Sequence, residues 1–186
     1  MDSLIKSIKE ILCRKSTAVI AVDGMCASGK TTFANRLSEE FGMQIIHMDD
    51  FFLPFDMRTE ERLSMPGGNV HYERFTEEVI VPIKERRDFE YGIFDCSKGT
   101  FSEKKKILHG KPIIIEGAYS MHPEIPDIYD LKIFFRISPE TQLSRIRIRN
   151  GEEALKTFKE KWIPFENKYS VAFGIEEKSD ITITNE

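Results

Sequence analysis

The chain of 186 residues lacks the marks of several large protein classes. It has three cysteines, Cys13, Cys26 and Cys96, an odd number with no Cys-x-x-Cys spacing. No disulfide framework or thiolate zinc site is expected, and His47, His71, His109 and His122 show no zinc spacing either. Reduced thiols fit a cytoplasmic protein. Basic charge is not in excess: 27 Lys and Arg stand against 31 Asp and Glu, a formal net charge of -4. That leaves no electrostatic footprint for nucleic acid. The single basic run, Lys104-Lys105-Lys106, follows Glu103 between two strand-like segments and reads as a solvated turn. No apolar run approaches the ~20 residues that span a bilayer, so no membrane partner is expected. Repeats and low-complexity tracts are missing, and nothing indicates a homo-oligomer.

What is present is a globular composition, 40% hydrophobic and 31% charged, enough for one well-buried domain over residues 1–186. Residues 2–15 place Leu4, Ile5, Ile8, Ile11 and Leu12 on one helical face with lysines opposite, the pattern of a docking helix rather than a signal peptide. Residues 17–23 (TAVIAVD) form an apolar, β-rich run. Four more strand-like runs follow at 43–48, 112–116, 131–137 and 180–184, separated by helical patterns. The alternation predicts an α/β fold with a parallel, doubly wound sheet of about five strands flanked by helices. Residues 89–96 and 106–109 suggest a small antiparallel hairpin. Residues 53–69, with Pro54, Pro66, Gly67 and Gly68, read as a long irregular loop of the lid or binding kind.

Between the first strand and the helical pattern at 31–41 stands Gly24-Met25-Cys26-Ala27-Ser28-Gly29-Lys30-Thr31, which fits G-x-x-x-x-G-K-[ST]. Strand, glycine loop and helix are the context this phosphate-binding P-loop requires. Its glycines let successive N–H groups face one cavity, and the helix that follows, beginning near Thr31 and Thr32, adds its positive end. Lys30, expected to face solvent, would reach the outer phosphates of ATP, and Thr31 would meet Mg²⁺. The same field is expected to favour the Cys26 thiolate, although a shielded thiol fits equally well.

Ligands of open α/β sheets lie beyond the carboxyl ends of the strands. Asp49, after the second strand, is the candidate general base for an alcohol acceptor and a candidate magnesium ligand. Its neighbour Asp50 contacts substrate or caps the next turn. Glu116 ends an isoleucine run where an unpaired carboxylate is costly, which suggests a metal partner, with a turn cap as the alternative. Arg145 and Arg149 share a helical face and could clamp phosphate, while Arg147 points away. Solvated arginines are the rival reading. Residues 138–151, ending at Gly151, form the candidate lid. Trp162, the only tryptophan, is read first as core packing and second as a stacking surface.

On these residues the chain resembles the uridine kinase and phosphoribulokinase group of P-loop kinases, which includes pantothenate and nicotinamide riboside kinases. Met48-Asp49-Asp50-Phe51-Phe52 is similar to the group's Asp-x-Phe-Tyr and to the Asp-Asp-Phe-Phe of nicotinamide riboside kinases. The resemblance implies a P-loop fold, ATP and Mg²⁺ as cofactors, Asp49 as base, Glu116-Gly117 as the magnesium-site pair, and Arg145 and Arg149 as lid arginines. It carries substrate contacts onto Phe52, Phe94, Asp95 and Trp162. The acceptor half departs from the pattern. An aspartate that grips ribose in uridine kinases is His71 here, and the pyrimidine-reading histidine falls near Gly99. A kinase for a small, nucleoside-like alcohol is therefore expected, with nicotinamide riboside or pantothenate types as alternatives. A nucleotide switch is a rival from another class, but it needs Asn-Lys-x-Asp. Asn167-Lys168-Tyr169-Ser170 lacks the aspartate. The last rival is a non-catalytic nucleotide binder, which would need no base.

Overall fold

The computed structural model describes residues 2–186, with side chains from Leu4 onward. Five strands form a parallel sheet: β1 (Val19–Gly24), β2 (Gln44–His47), β5 (Ile113–Glu116), β6 (Leu131–Arg136) and β7 (Ile181–Thr184). Their spatial order is β2-β5-β1-β6-β7. In the registers Val22 is opposite Glu116, and His47 is opposite Glu116 on the other side, so the strand ends lie level. The three loops that follow β1, β2 and β5 therefore open at one edge.

Apolar residues alternate across the sheet and feed two cores. Val19, Ile113, Ile115 and Phe134 face one way, onto Phe75, Val79, Ile80, Tyr91 and Tyr169. Ile20, Val22, Ile114, Ile133 and Phe135 face the other way, onto Phe33, Ala34 and Leu37 of α2 (Lys30–Phe41). Both faces are covered, as a parallel sheet requires. The expected docking helix is α1 (Asp2–Arg14), which buries Leu4 and Ile8 in the second core.

The hairpin beside the sheet is longer than its sequence pattern suggested. β3 (Phe89–Asp95) pairs with β4 (Thr100–Ile107). Lys104, Lys105 and Lys106 are thus strand residues rather than a turn. The reversal falls at 96–99, where Asp95 accepts hydrogen bonds from Ser97 and Lys98. Residues 53–69 also hold more structure than an irregular loop. They contain a short 3₁₀ turn (Phe55–Met57) and α3 (Glu60–Ser64). Arg62 ties this segment to Gly68, Val70 and Glu73. A helical stretch follows as α4 (Tyr72–Phe75), a π turn (Thr76–Ile80) and α5 (Val81–Lys84).

The candidate lid at 138–151 falls in α6 (Pro139–Thr157), capped by Ser138. Gly151 breaks it, with φ 83° and ψ 172°, a conformation far from helical that only glycine adopts without strain. A π turn (Phe158–Trp162) leads into α7 (Ile163–Phe173), which brings the chain back over the P-loop.

Candidate active site

The P-loop is laid against the end of β6. The Met25 N–H donates to the Phe135 carbonyl, and a Cβ on Gly24 would stand 2.2 Å from that same oxygen. Gly24 also has φ 131°, so no other residue fits there. Asp23 anchors the loop from below. It is buried, and it accepts from the Gly24 N–H at 2.6 Å, the Met121 N–H at 3.0 Å and the Tyr169 hydroxyl at 2.8 Å. Burial raises its pKa against these donors.

A cleft of about 1010 Å³ opens over the loop. Cys26, Ala27, Gly29, Lys30, Thr31 and Thr32 line it, whereas Gly24, Met25 and Ser28 do not. The turn faces those three into the protein, where Ser28 is fully buried and its carbonyl accepts from Asn185. Lys30 corrects another expectation. It is only 8% exposed, and its ammonium donates to the Gly24 and Met25 carbonyls, both at 2.8 Å. An ammonium next to carbonyls that converge on one cavity satisfies itself there rather than waiting in solvent.

Cys26 departs from the thiolate expectation as well. Burial and the nearby Glu166 carboxylate push its thiol up to about 12, outweighing the Lys30 charge. Gln142 donates to its sulfur and to its carbonyl. Cys26 is therefore expected to alkylate far more slowly than the exposed Cys13 and Cys96, as peptide mapping after brief labelling would reveal. Comparable labelling of all three would contradict this burial.

Asp49 stands in a 3₁₀ turn (Met48–Phe51) directly after β2, and it lines the cleft. It is open to solvent at the floor, yet the surrounding protein and the Glu116 charge raise its pKa, with Lys30 opposing. Glu116, buried at the end of β5, has found a partner that the sequence did not name: His47 Nδ1 lies 2.5 Å from its Oε1. That contact raises the His47 pKa. The Thr31 hydroxyl donates to the same carboxylate at 3.2 Å. Thr31 and Glu116 thus present the hard oxygen donors that magnesium takes, beside the phosphate loop. Among the described residues no group of three or more His, Cys, Asp or Glu forms a self-sufficient metal cage. Such a cage is not needed where phosphates supply the remaining oxygens.

The candidate lid arginines meet at the cleft. Arg145 and Arg149 both line it, and Arg145 donates to the Ala27 carbonyl at 3.3 Å. Arg147 points elsewhere and pairs with Glu152. Phe52 and Trp162 also line the cleft, with ring centres 5.8 Å apart. Trp162 is therefore a wall of the cleft rather than core packing.

Four expected substrate residues do not reach the cleft. The Asp50 carboxylate accepts from the Tyr91 hydroxyl at 3.0 Å and its carbonyl from Arg74, which turns it toward the hairpin. His71 precedes α4; its N–H donates to Phe51, and burial lowers its pKa. Phe94 is buried, edge-on to Phe55 and Phe101. Asp95 is spent on the hairpin turn, where Lys98 and Ser97 hold its pKa down. In their place stand Phe55, Arg58, Cys96 and Glu166. Arg58 stacks over Phe55 at 4.4 Å, and Glu166 Oε2 accepts the Cys26 N–H at 2.7 Å. Only the place of Glu166, four residues after Trp162, hinted at its position.

No protein-family model matches the chain. A uridine kinase of Ureaplasma parvum is 28% identical over 153 residues, covering 77% of this chain and 74% of the relative. A cytidylate kinase of Methanopyrus kandleri is 24% identical over 164 residues, covering 86% and 78%. Among solved structures, a candidate fructose transport system kinase from Silicibacter superposes with a TM-score of 0.71 at 21% identity, covering 97% of each chain. The chain is similar in sequence to uridine kinases and has the fold of P-loop small-molecule kinases. In this chain the P-loop, Asp49 and Glu116 are assembled at one strand edge. Arg58 and Glu166 line the cleft, whereas His71 and Asp95 do not. No helix among the described residues is long and apolar enough to cross a membrane.

Proposed function

We propose that the chain is one ATP- and Mg²⁺-dependent kinase domain that phosphorylates a hydroxyl of a small nucleoside-like metabolite. The observation that carries this reading is the meeting of Lys30, Thr31, Asp49 and Glu116 in one cleft under Arg145 and Arg149. Asp49 would orient the acceptor hydroxyl and take its proton, and the surrounding protein and the Glu116 charge raise its pKa, which makes its carboxylate more basic. Lys30 would leave its loop carbonyls for the outer phosphates. The lid arginines would hold the charge that develops on the transferring group. Thr31 and Glu116 would hold Mg²⁺, which neutralises phosphate charge when bound. Phe52 and Trp162 offer flat apolar faces suited to a ring on the acceptor. A cytoplasmic location belongs to the same proposal, because the free thiols Cys13, Cys26 and Cys96 suit a reducing compartment.

The test is ADP release with Mg-ATP and a panel of acceptors: uridine, cytidine, cytidylate, nicotinamide riboside and pantothenate, each product confirmed by mass. Acceptor-dependent release with one phosphorylated product supports the proposal. Mg-ATP binding without turnover on any alcohol would favour a non-catalytic nucleotide binder.

Closure is expected to pivot at Gly151. Hydrogen exchange across 138–151 should slow when Mg-ATP is added, since lids order over the phosphates they cover. Unchanged exchange there would remove the lid from the proposal.

A further inference from the structure

The P-loop amides divide by what they serve. Those of Gly24, Met25 and Ser28 bond to the loop's own frame, to Asp23, Phe135 and Met25 respectively. The Cys26 N–H instead bonds to a side chain 140 residues away in sequence, the Glu166 carboxylate, at 2.7 Å. A loop whose backbone N–H groups converge is an anion site, and here a carboxylate of the protein has entered it.

We propose that Glu166 holds a phosphate position of the P-loop while nucleotide is absent, and that the triphosphate displaces it, shifting Trp162 on the acceptor wall as it leaves. The inference rests on the reading of this loop as the ATP site. Two anions cannot share one N–H, so the carboxylate must leave before a phosphate oxygen can bond there. The carboxylate is also held at a cost. Burial and the Asp49 charge disfavour its ionised form, against Lys30 and the Cys26 N–H. A triphosphate, with more charge and more oxygens for the converging amides, is the better occupant.

The coupling to the acceptor side follows from helical spacing. Trp162 ends the π turn and Glu166 lies in the first turns of α7, on continuous helical backbone. Residues four apart on a helix share a face, so releasing the tie between Glu166 and the Cys26 N–H would free the helical turn that carries the indole. That indole packs on Phe52, three residues beyond the Asp49 base. Donor occupancy would thereby reset the wall against which the acceptor ring lies. Glu166 is in this sense a positioning residue, acting through Trp162 and the loop rather than on the reacting atoms.

The experiment measures Mg-ATP affinity by calorimetry for the parent, Glu166→Gln and Glu166→Ala, with Trp162 emission followed in parallel. As the only tryptophan in the sequence, Trp162 reports without ambiguity. Glu166→Ala should bind Mg-ATP about tenfold more tightly, the scale set by losing one competing charge-assisted hydrogen bond. Glu166→Gln should tighten binding less, because its amide oxygen still accepts. Nucleotide-free Glu166→Ala should already show the emission that the parent reaches only at saturating Mg-ATP. Weaker binding in both variants would mean that Glu166 braces the loop, and would overturn the proposal. So would unchanged affinity. If the alanine variant does not fold, the isosteric glutamine decides by the sign of its change. A parent that binds no Mg-ATP would sink the donor reading and this inference with it, whereas a parent that binds with variants unaltered would sink the inference alone.

Discussion

Asp49→Asn is expected to bind Mg-ATP with near-parental affinity and to lose phosphoryl transfer by ~10²–10⁴-fold, the usual contribution of a positioned general base. The substitution keeps the shape and removes the basicity. Asp49 also faces Glu116, whose charge helps to raise its pKa, so loss of the aspartate charge relieves repulsion at the floor. Binding should therefore not suffer. Asp50→Asn is the matched control. Asp50 touches Tyr91 and Arg74 rather than the cleft, and asparagine still offers an oxygen to Tyr91. A stability loss of about 1 kcal/mol, with transfer unchanged, is expected from weakening that one hydrogen bond. Both variants should be assayed with the best acceptor from the panel, with stability read by urea unfolding. Transfer lost in Asp50→Asn and kept in Asp49→Asn would assign the base wrongly. Transfer kept in both would place the base elsewhere.

Lys30→Ala should reduce turnover by ~10²-fold or more, because the variant would lose the P-loop cation proposed to reach the outer phosphates. The structure adds a second effect. Lys30 satisfies two carbonyls, those of Gly24 and Met25, at the tightest point of the loop. Alanine leaves both without this donor, so a stability loss of roughly 1–3 kcal/mol should accompany the loss of rate. Urea midpoints and single-turnover rates measured on the same preparation separate the two. A variant within a few fold of the parent in rate would exclude Lys30 from the chemistry, whatever its stability.

The phosphate loop was legible in the sequence because its requirements are local. Gly24 needs positive φ and close approach to Phe135, and only glycine provides both. Strand positions were legible from apolar periodicity, and the edge at which Asp49 and Glu116 meet followed from parallel connection rules. The hairpin was half legible. β4 is solvent-facing along most of its length, so its charged residues carry no apolar signal to set it apart from a turn.

Side-chain direction and partnership were decided by tertiary structure alone. Asp49 and Asp50 are adjacent, yet one faces the cleft and the other Tyr91, a residue 41 positions away in the sequence. Lys30 turned inward because the loop's own carbonyls converge on it. Cys26 became a shielded thiol because Gln142 and Glu166, 116 and 140 residues distant, close over it. Glu116 found His47 across the sheet, 69 residues away. Local spacing fixes backbone geometry over a few residues, so the sequence by itself determined where the P-loop lies and which strand ends surround it. Burial, pKa and the choice of partner depend on contacts that exist only once α6, α7 and the hairpin have packed around that edge, which is why the walls of the cleft were decided by the folded chain.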